Sequence, residues 1–439
     1  QFLLFSASNR GWIGDIPIHW NLIRLKYLCK SKLMYGANES ADFEDPSQPR
    51  YIRITDFGDD GKLKDETFKS LPYEKAESYL LEDGDVLFAR SGATVGKTFQ
   101  FKNYNGLACF AGYLIKASPN EEMMLSDFIY FYTKSRVYEN WKNSIFNQAT
   151  IQNIGADKYN DLLISLPSIQ EQRSIATYLN DKTSQIDTLI EKKRQMIELL
   201  KEERAAIINQ AVTKGINPDA EMKDSGIEWL GEVPKHWDVK KIKHVSTKIG
   251  SGITPKGGAD VYQTSGIPLL RSQNVHFTGL KLEDVAYITQ EIHDSMSNSE
   301  VFDGDVLLNI TGASIGRCYY AKKDILPANV NQHVCIIRPN GYIITEYLYL
   351  VLSSFLGQFQ IEHCQTGANR EGLNFEQLKN FTIPLPPIFE QKKIIGNTYA
   401  HLNKIDKTIA LTEKEISLIE EYQTVLINEA VTGKIDIRE

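Results

Sequence analysis

The chain has 439 residues, 42% of them hydrophobic, and a formal net charge of −7 at pH 7. That composition excludes a disordered chain and gives no sign of a polybasic nucleic-acid binder. No apolar run is long enough to span a membrane, and five scattered cysteines (Cys29, Cys109, Cys318, Cys335, Cys364) form no CxxC pair, so a cytoplasmic protein with reduced thiols and no zinc site is expected.

The opening Gln1-Phe2-Leu3-Leu4-Phe5 has no initiator Met and no basic region, and reads as a processed or tagged start rather than a signal peptide. Next comes Trp12-Ile13-Gly14-Asp15-Ile16-Pro17-Ile18-His19-Trp20. Short β-branched and aromatic runs at 51–54, 86–89 and 113–116 alternate with polar, glycine-rich turns, and a helix is expected over 126–141. The stretch 167–215 follows as one long helix. Pro167 stands just upstream and Gly215 at its stop. Its apolar positions, Ile175, Leu179, Ile186, Leu189, Ile190, Ile197, Leu200, Ile207 and Ala211, step by three and four residues. That spacing is a narrow seam of coiled-coil type, on a helix roughly 60 Å long at 1.5 Å per residue.

After a polar, turn-rich linker at 214–226 the whole unit is written again. Trp229-Leu230-Gly231-Glu232-Val233-Pro234-Lys235-His236-Trp237 repeats the Trp-rich opening, and Gly304-Asp305-Val306-Leu307 repeats Gly84-Asp85-Val86-Leu87. Another strand is expected at 334–338 and a helix at 345–364. The second long helix, 386–434, carries its seam on Ile395, Leu402, Ile405, Ile409, Ile416, Ile419, Leu426 and Ala430. The offset between the helical copies is 219 throughout (167 to 386, 171 to 390, 187 to 406, 211 to 430). A seam so narrow on so long a helix needs a partner, and the other copy is the natural one.

Chemistry is sought and not found. Gly92-Ala93-Thr94-Val95-Gly96-Lys97-Thr98 is one residue short of a phosphate-binding loop, and its copy Gly312-Ala313-Ser314-Ile315-Gly316-Arg317-Cys318 lacks both the lysine and the hydroxyl; a tight turn explains both. Glu221-Met222-Lys223 behind Pro218-Asp219 resembles a nuclease pattern, but its carboxylates are too close together to come from separate strands. No glycine-rich cofactor loop precedes Leu385-Pro386-Pro387-Ile388, which also lacks the aromatic of an amino-methyltransferase motif. His19 and His236 are expected to hydrogen-bond rather than catalyse. No active site and no metal site is read.

Tandem domains, Trp-x-Gly-x-x-Pro-x-x-Trp openings, Gly-Asp-x-Leu strands, Leu-Pro-x-x-x-Glu-Gln helix starts at Leu166 and Leu385, and Ala-Val-Thr stops at Ala211 and Ala430 together resemble the specificity subunit of a type I restriction-modification enzyme. The resemblance covers essentially the whole chain. It implies an α/β fold of two mixed target recognition domains, each followed by a long helix, with the helices paired as an antiparallel coiled coil of pseudo-two-fold symmetry. The segments are 1–166 (first recognition domain), 167–215 (first conserved helical region), 216–385 (linker and second recognition domain) and 386–439 (second helical region). A non-catalytic subunit is implied. It binds double-stranded DNA at a bipartite asymmetric site and docks two modification (methyltransferase) subunits, which restriction subunits then join. S-adenosylmethionine and ATP are expected only on those partners. In both 1–165 and 217–385 acidic residues outnumber basic ones, so local patches or partner subunits would supply the positive field.

The candidate DNA contacts are polar residues beside the glycine turns and in the loops where the halves diverge. They are Arg53, Arg90, Ser91, Thr94, Lys97, Gln148 and Gln152 in the first half, and Arg271, Gln273, Asn274, Thr311, Arg317, Gln332, Asn369 and Arg370 in the second. Arg and Lys suit guanine or phosphate, and Gln and Asn suit adenine. The Gly250–Pro255 stretch has no close counterpart in the first half. Ile186, Ile190, Ile197, Leu200, Ile405, Ile409, Ile416 and Ile419 are the expected partner-binding helix positions. The alternative reading is a protein-binding scaffold built on paired long helices.

Overall fold

The computed structural model describes the chain except residues 1–4, 8–11, 59–60, 62, 147–152, 366–371, 436 and 438–439. It divides into two compact units, Gln1–Arg194 with Glu413–Glu439, and Gln195–Thr412. The sequence segments divide the chain by secondary structure. Compactness divides it differently, because each unit takes half of each long helix.

The first unit is built on a four-stranded sheet in the order Met34–Tyr35, Leu114–Ala117, Val86–Ala89, Thr98–Gln100, with all neighbours antiparallel. Val86, Leu87, Phe88 and Ala89 are all buried, as befits a central strand covered on both faces. The second unit repeats this sheet as Ser246–Ser251, Val334–Pro339, Val306–Asn309, Cys318–Tyr320. A parallel pair accompanies each sheet: Arg50–Ile52 beside Ala108–Phe110, and Ile267–Leu270 beside Ala328–Val330. The strand expected over 51–54 therefore ends earlier, and Ile54–Asp56 is a 3-10 turn.

The Gly-Asp pair turns the chain into the central strand. Gly84 and Gly304 have φ of +94° and +85°, where a side chain is disfavoured. The aspartate that follows accepts the amide three residues back, Glu82 N to Asp85 Oδ2 and Phe302 N to Asp305 Oδ2, both at 2.8 Å. Both carboxyls are buried, but their cations differ. Asp305 takes Arg338 through two contacts of 2.7 and 2.8 Å, whereas Asp85 has Lys116 Nζ only at 3.7 Å.

Each helix read as continuous, over 126–141 and 345–364, is two helices. The breaks fall between Ser126–Tyr132 and Arg136–Phe146, and between Thr345–Ser353 and Phe355–Gln365. Ser135 and Ser354 stand at the breaks, and each donates its hydroxyl to the carbonyl three residues earlier (Tyr132 and Val351, 2.7 Å). Such side-chain bonds compete with the helical ladder without changing the apolar period. The linker expected at 214–226 is also partly structured, since Met222–Asp224 pairs antiparallel with Glu232–Pro234. Lys223 of the nuclease-like pattern donates to Trp237 O at 2.7 Å.

The long helices run over Ile169–Thr213 and Ile388–Val431, and among the described residues no helix is long and apolar enough to cross a membrane. A buried glutamine fixes each start. Gln172 accepts from Leu125 N (2.8 Å) and donates to Met123 O and Pro167 O (2.9 and 3.0 Å). Gln391 accepts from Ile344 N (2.8 Å) and donates to Tyr342 O and Pro386 O (3.0 and 2.9 Å). The preceding glutamates meet the histidines of the Trp-rich repeats, His19 with Glu171 at 2.8 Å and His236 with Glu390 at 2.7 Å.

Within the first unit, Lys193 pairs with Glu415 (2.5 Å), Arg194 with Glu420 (3.1 Å) and Asp187 with Gln423 (2.9 Å). Within the second, Arg204 pairs with Asp406 at 3.1 Å. Surface pairs of this kind set register more than they stabilise; the apolar seam does the latter. Ile186, Ile190, Ile197, Ile405 and Ile416 are buried, and Leu200, Ile409 and Ile419 are half-buried. Leu189 leaves the seam, at 45% exposed. In the second helix Ile394 is buried and Ile395 only half so.

Two outcomes follow. Gln391→Leu removes a fully buried amide and strands the buried Pro386 carbonyl that it served, so a loss of about 1–3 kcal/mol is expected. A urea titration followed by tryptophan fluorescence measures it; an unchanged midpoint would show that the amide holds nothing. The aspartates differ with pH. Burial, against the weaker opposing effects of its hydrogen bonds and Lys116, raises the Asp85 carboxyl above its ordinary range. An acid raised in the folded state keeps a proton that the unfolded chain has lost, so stability falls as pH climbs from about 4 toward the folded value. Asp85→Asn should flatten that slope in thermal melts taken across the window. Asp305→Asn should instead lower the melting temperature at neutral pH by stranding Arg338.

Candidate nucleic-acid interface

In both units the central strand delivers its last residues into the same backbone frame. Arg90 N donates to Tyr113 O and Arg90 O accepts from Ile154 N (3.0 and 2.9 Å). In the copy, Ile310 N donates to His333 O and Ile310 O accepts from Leu373 N (3.0 and 2.8 Å). The next residue bridges the same partner strand, Ser91 with Asn153 and Thr311 with Gly372. A third chain segment closes each frame at a glycine, Gly36 or Gly252. A Cβ on Gly36 would overlap the carbonyls of Phe110 and Ala111, and one on Gly252 the carbonyl of Val330. The Gly250–Pro255 stretch therefore does have a counterpart in the first unit, around Gly36.

The side chains on these equivalent frames are unlike. In the first unit the Arg90 guanidinium lies 4.8 Å from the Tyr35 ring centroid, and Tyr35 is held by accepting Ala156 N at 2.9 Å. Arg90 Nε is buried with no acceptor among the described residues, and Tyr113 beside it is 64% exposed. In the second unit Thr254, Thr311, Gln332 and His333 form a hydrogen-bonded group on the surface.

The glycine turns sit directly beside these frames. Gly92 and Gly96 take φ of +77° and +79°, Gly312 and Gly316 +70° and +87°. The amides of Val95, Gly96 and Lys97 are already donated to Gly92, Ala89 and Thr94 carbonyls, so these three close the turn on itself and are not offered to an anion. Ser91, Thr94 and Arg317 are half-buried along these turns and Lys97 is exposed. Burial first, and then Lys97, bring the nearby Lys134 amine down to about 8. Burial pushes the Cys29, Cys109 and Cys335 thiols up to about 12, away from a nucleophilic thiolate.

Arg53 and Arg271 occupy equivalent positions ahead of a 3-10 turn but have different freedom. Arg53 is committed to Asp56 through Nε and Nη2 (3.1 and 2.8 Å) and to Thr67 O (2.9 Å), so it braces the turn. The residue facing Arg271 is the neutral Asn274, and the guanidinium donates to Asp284 O at 2.9 Å and lies 5.7 Å from the Tyr262 ring centroid, with no carboxylate paired to it among the described residues. Asn274 is a correction: at 1% exposed, it is turned inward, accepting Arg271 N and donating to Lys281 O (both 2.9 Å), and presents no edge at the surface. Gln273 is exposed. Gln148, Gln152, Asn369 and Arg370 lie outside the described residues.

Arg90, Ser91, Thr311 and Gln332 are thus brought together in two corresponding places. Sequence reasoning missed Tyr35, Tyr113, Thr254 and His333. Tyr113 lies at the edge of a run read as strand, and its match to His333 emerges only from an offset of 220, one more than in the helices. The seam residues Ile186, Ile190, Ile197, Ile405 and Ile416 are buried, whereas Leu199 and Leu418 on the same helices are exposed.

The family model described as type I restriction modification DNA specificity domain matches residues 17–199 and again 234–421. The chain is 25% identical over 363 residues to the type I restriction enzyme MjaVIII specificity subunit of Methanocaldococcus jannaschii, covering 82% of this chain and 81% of that one. It is 24% identical to the putative type I restriction enzyme MjaX specificity subunit of the same organism, over 100% of this chain and 99% of that one. A solved chain from work on complex assembly and conformational transition of the type I R-M system shares the fold, with TM-score 0.74 at 16% identity, covering 96% and 99% of the two chains. With the duplicated frames and their unlike side chains in place, the twofold match assigns the chain: it belongs to the type I restriction modification DNA specificity domain family, the non-catalytic DNA-recognition subunits of type I restriction-modification enzymes.

Proposed function

We propose that the chain reads a bipartite, asymmetric duplex site, one half with each unit, and holds the two readings at a set spacing with its paired helices. The observation that carries this is the shared backbone frame bearing Arg90 with Tyr35 and Tyr113 in one unit, and Thr311 with Gln332 and His333 in the other. Identical scaffolds with different hydrogen-bonding edges suit two different base sequences. Arg90 suits guanine, Arg271 either guanine or a phosphate, and Lys97 and Arg317 the backbone.

The helices are proposed to form one antiparallel coiled coil with pseudo-two-fold symmetry. Supporting this, the Asp187–Gln423 contact in the first unit and the Asp406–Arg204 contact in the second are the same contact shifted by the repeat. The glycine stops agree, Gly433 closing on Trp20 and Gly215 on Trp237. The relatives' names place them in type I restriction enzymes. By that kinship two modification subunits are proposed to dock on the outward helix faces, with restriction subunits joining them in the cytoplasm. S-adenosylmethionine and ATP are assigned to those partners.

Exchanging residues 229–380 for the equivalent region of a relative should change one half-site and leave the other unchanged. Methylation mapping in cells carrying the hybrid with its modification subunits reads the outcome directly. Both half-sites changing together would show that the units do not read independently.

A further inference from the structure

The reading group of the second unit is a single directed chain of hydrogen bonds. Gln332 Nε2 lies 3.0 Å from His333 Nε2, His333 Nδ1 lies 2.6 Å from Thr311 Oγ1, and the Thr254 hydroxyl donates to Gln332 Oε1. An amide nitrogen has protons to give and no lone pair with which to accept. Gln332 therefore donates, and His333 Nε2 accepts. The imidazole proton then sits on Nδ1 and goes to Thr311 Oγ1. Thr311 receives that proton on a lone pair, and its own hydroxyl hydrogen is left pointing outward.

The backbone holds this chain still. His333 O accepts Ile310 N (3.0 Å), His333 N donates to Asn331 Oδ1 (3.1 Å), and Asn331 N donates to Leu270 O (3.0 Å). Thr254 and Gln332 are exposed, and Thr311 and His333 half-buried, so a base edge can reach the outward hydroxyl. The first unit has Gly112 and Tyr113 at the positions of Gln332 and His333 and cannot build such a chain.

The geometry points to His333 and Thr311 as a specificity-determining pair: His333 fixes Thr311 as a hydrogen-bond donor, which selects the keto oxygen of guanine or thymine at one position of the half-site read by this unit. His333 acts as a positioning residue and Thr311 as the contact. The inference rests on the proposed reading role of the unit and adds to it the base class and the group that sets it.

The chain also has a second polarity, and one substitution imposes it. A carboxylate in place of the Gln332 amide can only accept, so a neutral His333 must donate from Nε2 and accept at Nδ1. The Thr311 hydroxyl hydrogen is then drawn inward, and an oxygen lone pair faces the DNA. The preferred partners become the amino groups of adenine or cytosine.

The test is selection of random-sequence duplexes by the chain in complex with its modification subunits, at alkaline pH. Wild type, Gln332→Glu, Thr311→Val and Thr311→Ser are compared. The wild type should prefer a keto base about tenfold at one position. Gln332→Glu should turn that preference to an amino base, Thr311→Val should abolish it, and Thr311→Ser should keep it, with every other position unchanged. If the wild type selects a motif and both Gln332→Glu and Thr311→Val retain all its preferences, or weaken every sequence alike, the assignment of the pair is overturned. A wild-type complex that selects no sequence overturns the reading role itself.

Discussion

A buried primary amide at the start of each long helix is the constraint on which the unit depends. Such an amide offers one acceptor and two donors, and leaving any of them unpaired away from water costs about 1–3 kcal/mol. Gln172 and Gln391 satisfy all three by gathering three separate stretches of chain: the residues before the first short helix, the proline before the long helix, and the helix itself. The helix entry angle is thereby fixed against the globular part. The preceding glutamate is carried to the histidine of the Trp-rich repeat, and Trp20 and Trp237 are buried beneath. A helix tail then stops on each tryptophan. A Cβ at Gly433 or Gly215 would sit 3.0 or 3.1 Å from the indole at φ of +72° or +75°, so only glycine closes the contact.

The repeat was legible because these constraints name their residues. Gly-Asp before a strand, Glu-Gln at a helix start and glycine at its stop are positions where one side chain alone suffices, and they recur at near-constant offset. The interruptions at Ser135 and Ser354 were not legible, since a hydroxyl bonding back to a carbonyl leaves the apolar period intact. Leu189 was read into the seam because it neighbours Ile190; only one of two adjacent residues can face inward. Asn274 was read as a base contact because polar loop residues look alike until burial is known. Thr254 and His333 escaped notice because their chemistry is a relation between segments far apart in the chain, visible only once Gln332 stands between them.

An acidic chain that recognises DNA needs its negative charge kept from the reading frames. Several carboxylates are already engaged: Asp56 by Arg53, Asp305 by Arg338, and Asp127 by Lys102 at 2.7 Å. The ion pairs on the helices similarly occupy Glu415, Glu420 and Asp406. Formal charge therefore overstates the repulsion a phosphate would meet at the frames, where Arg90, Arg271 and Arg317 stand without a paired carboxylate among the described contacts. These cations are few, which suits a subunit that specifies sequence more than it supplies phosphate affinity.

The frames themselves explain how one scaffold carries two unlike sets of side chains. The bonds that hold the backbone of Arg90 and Ile310 are made by main-chain N–H and C=O groups, which any residue except proline can supply. The glycines beneath, Gly36 and Gly252, are fixed by backbone crowding alone. Side chains at the frame surface make none of those main-chain bonds, so an arginine stacked on a tyrosine and a threonine wired to a histidine fit the same backbone. Stability thus resides in the buried amides, the Gly-Asp turns and the seam, while the side chains that differ between the frames are exposed or half-buried. The two can change separately, and between the halves of this chain they already have.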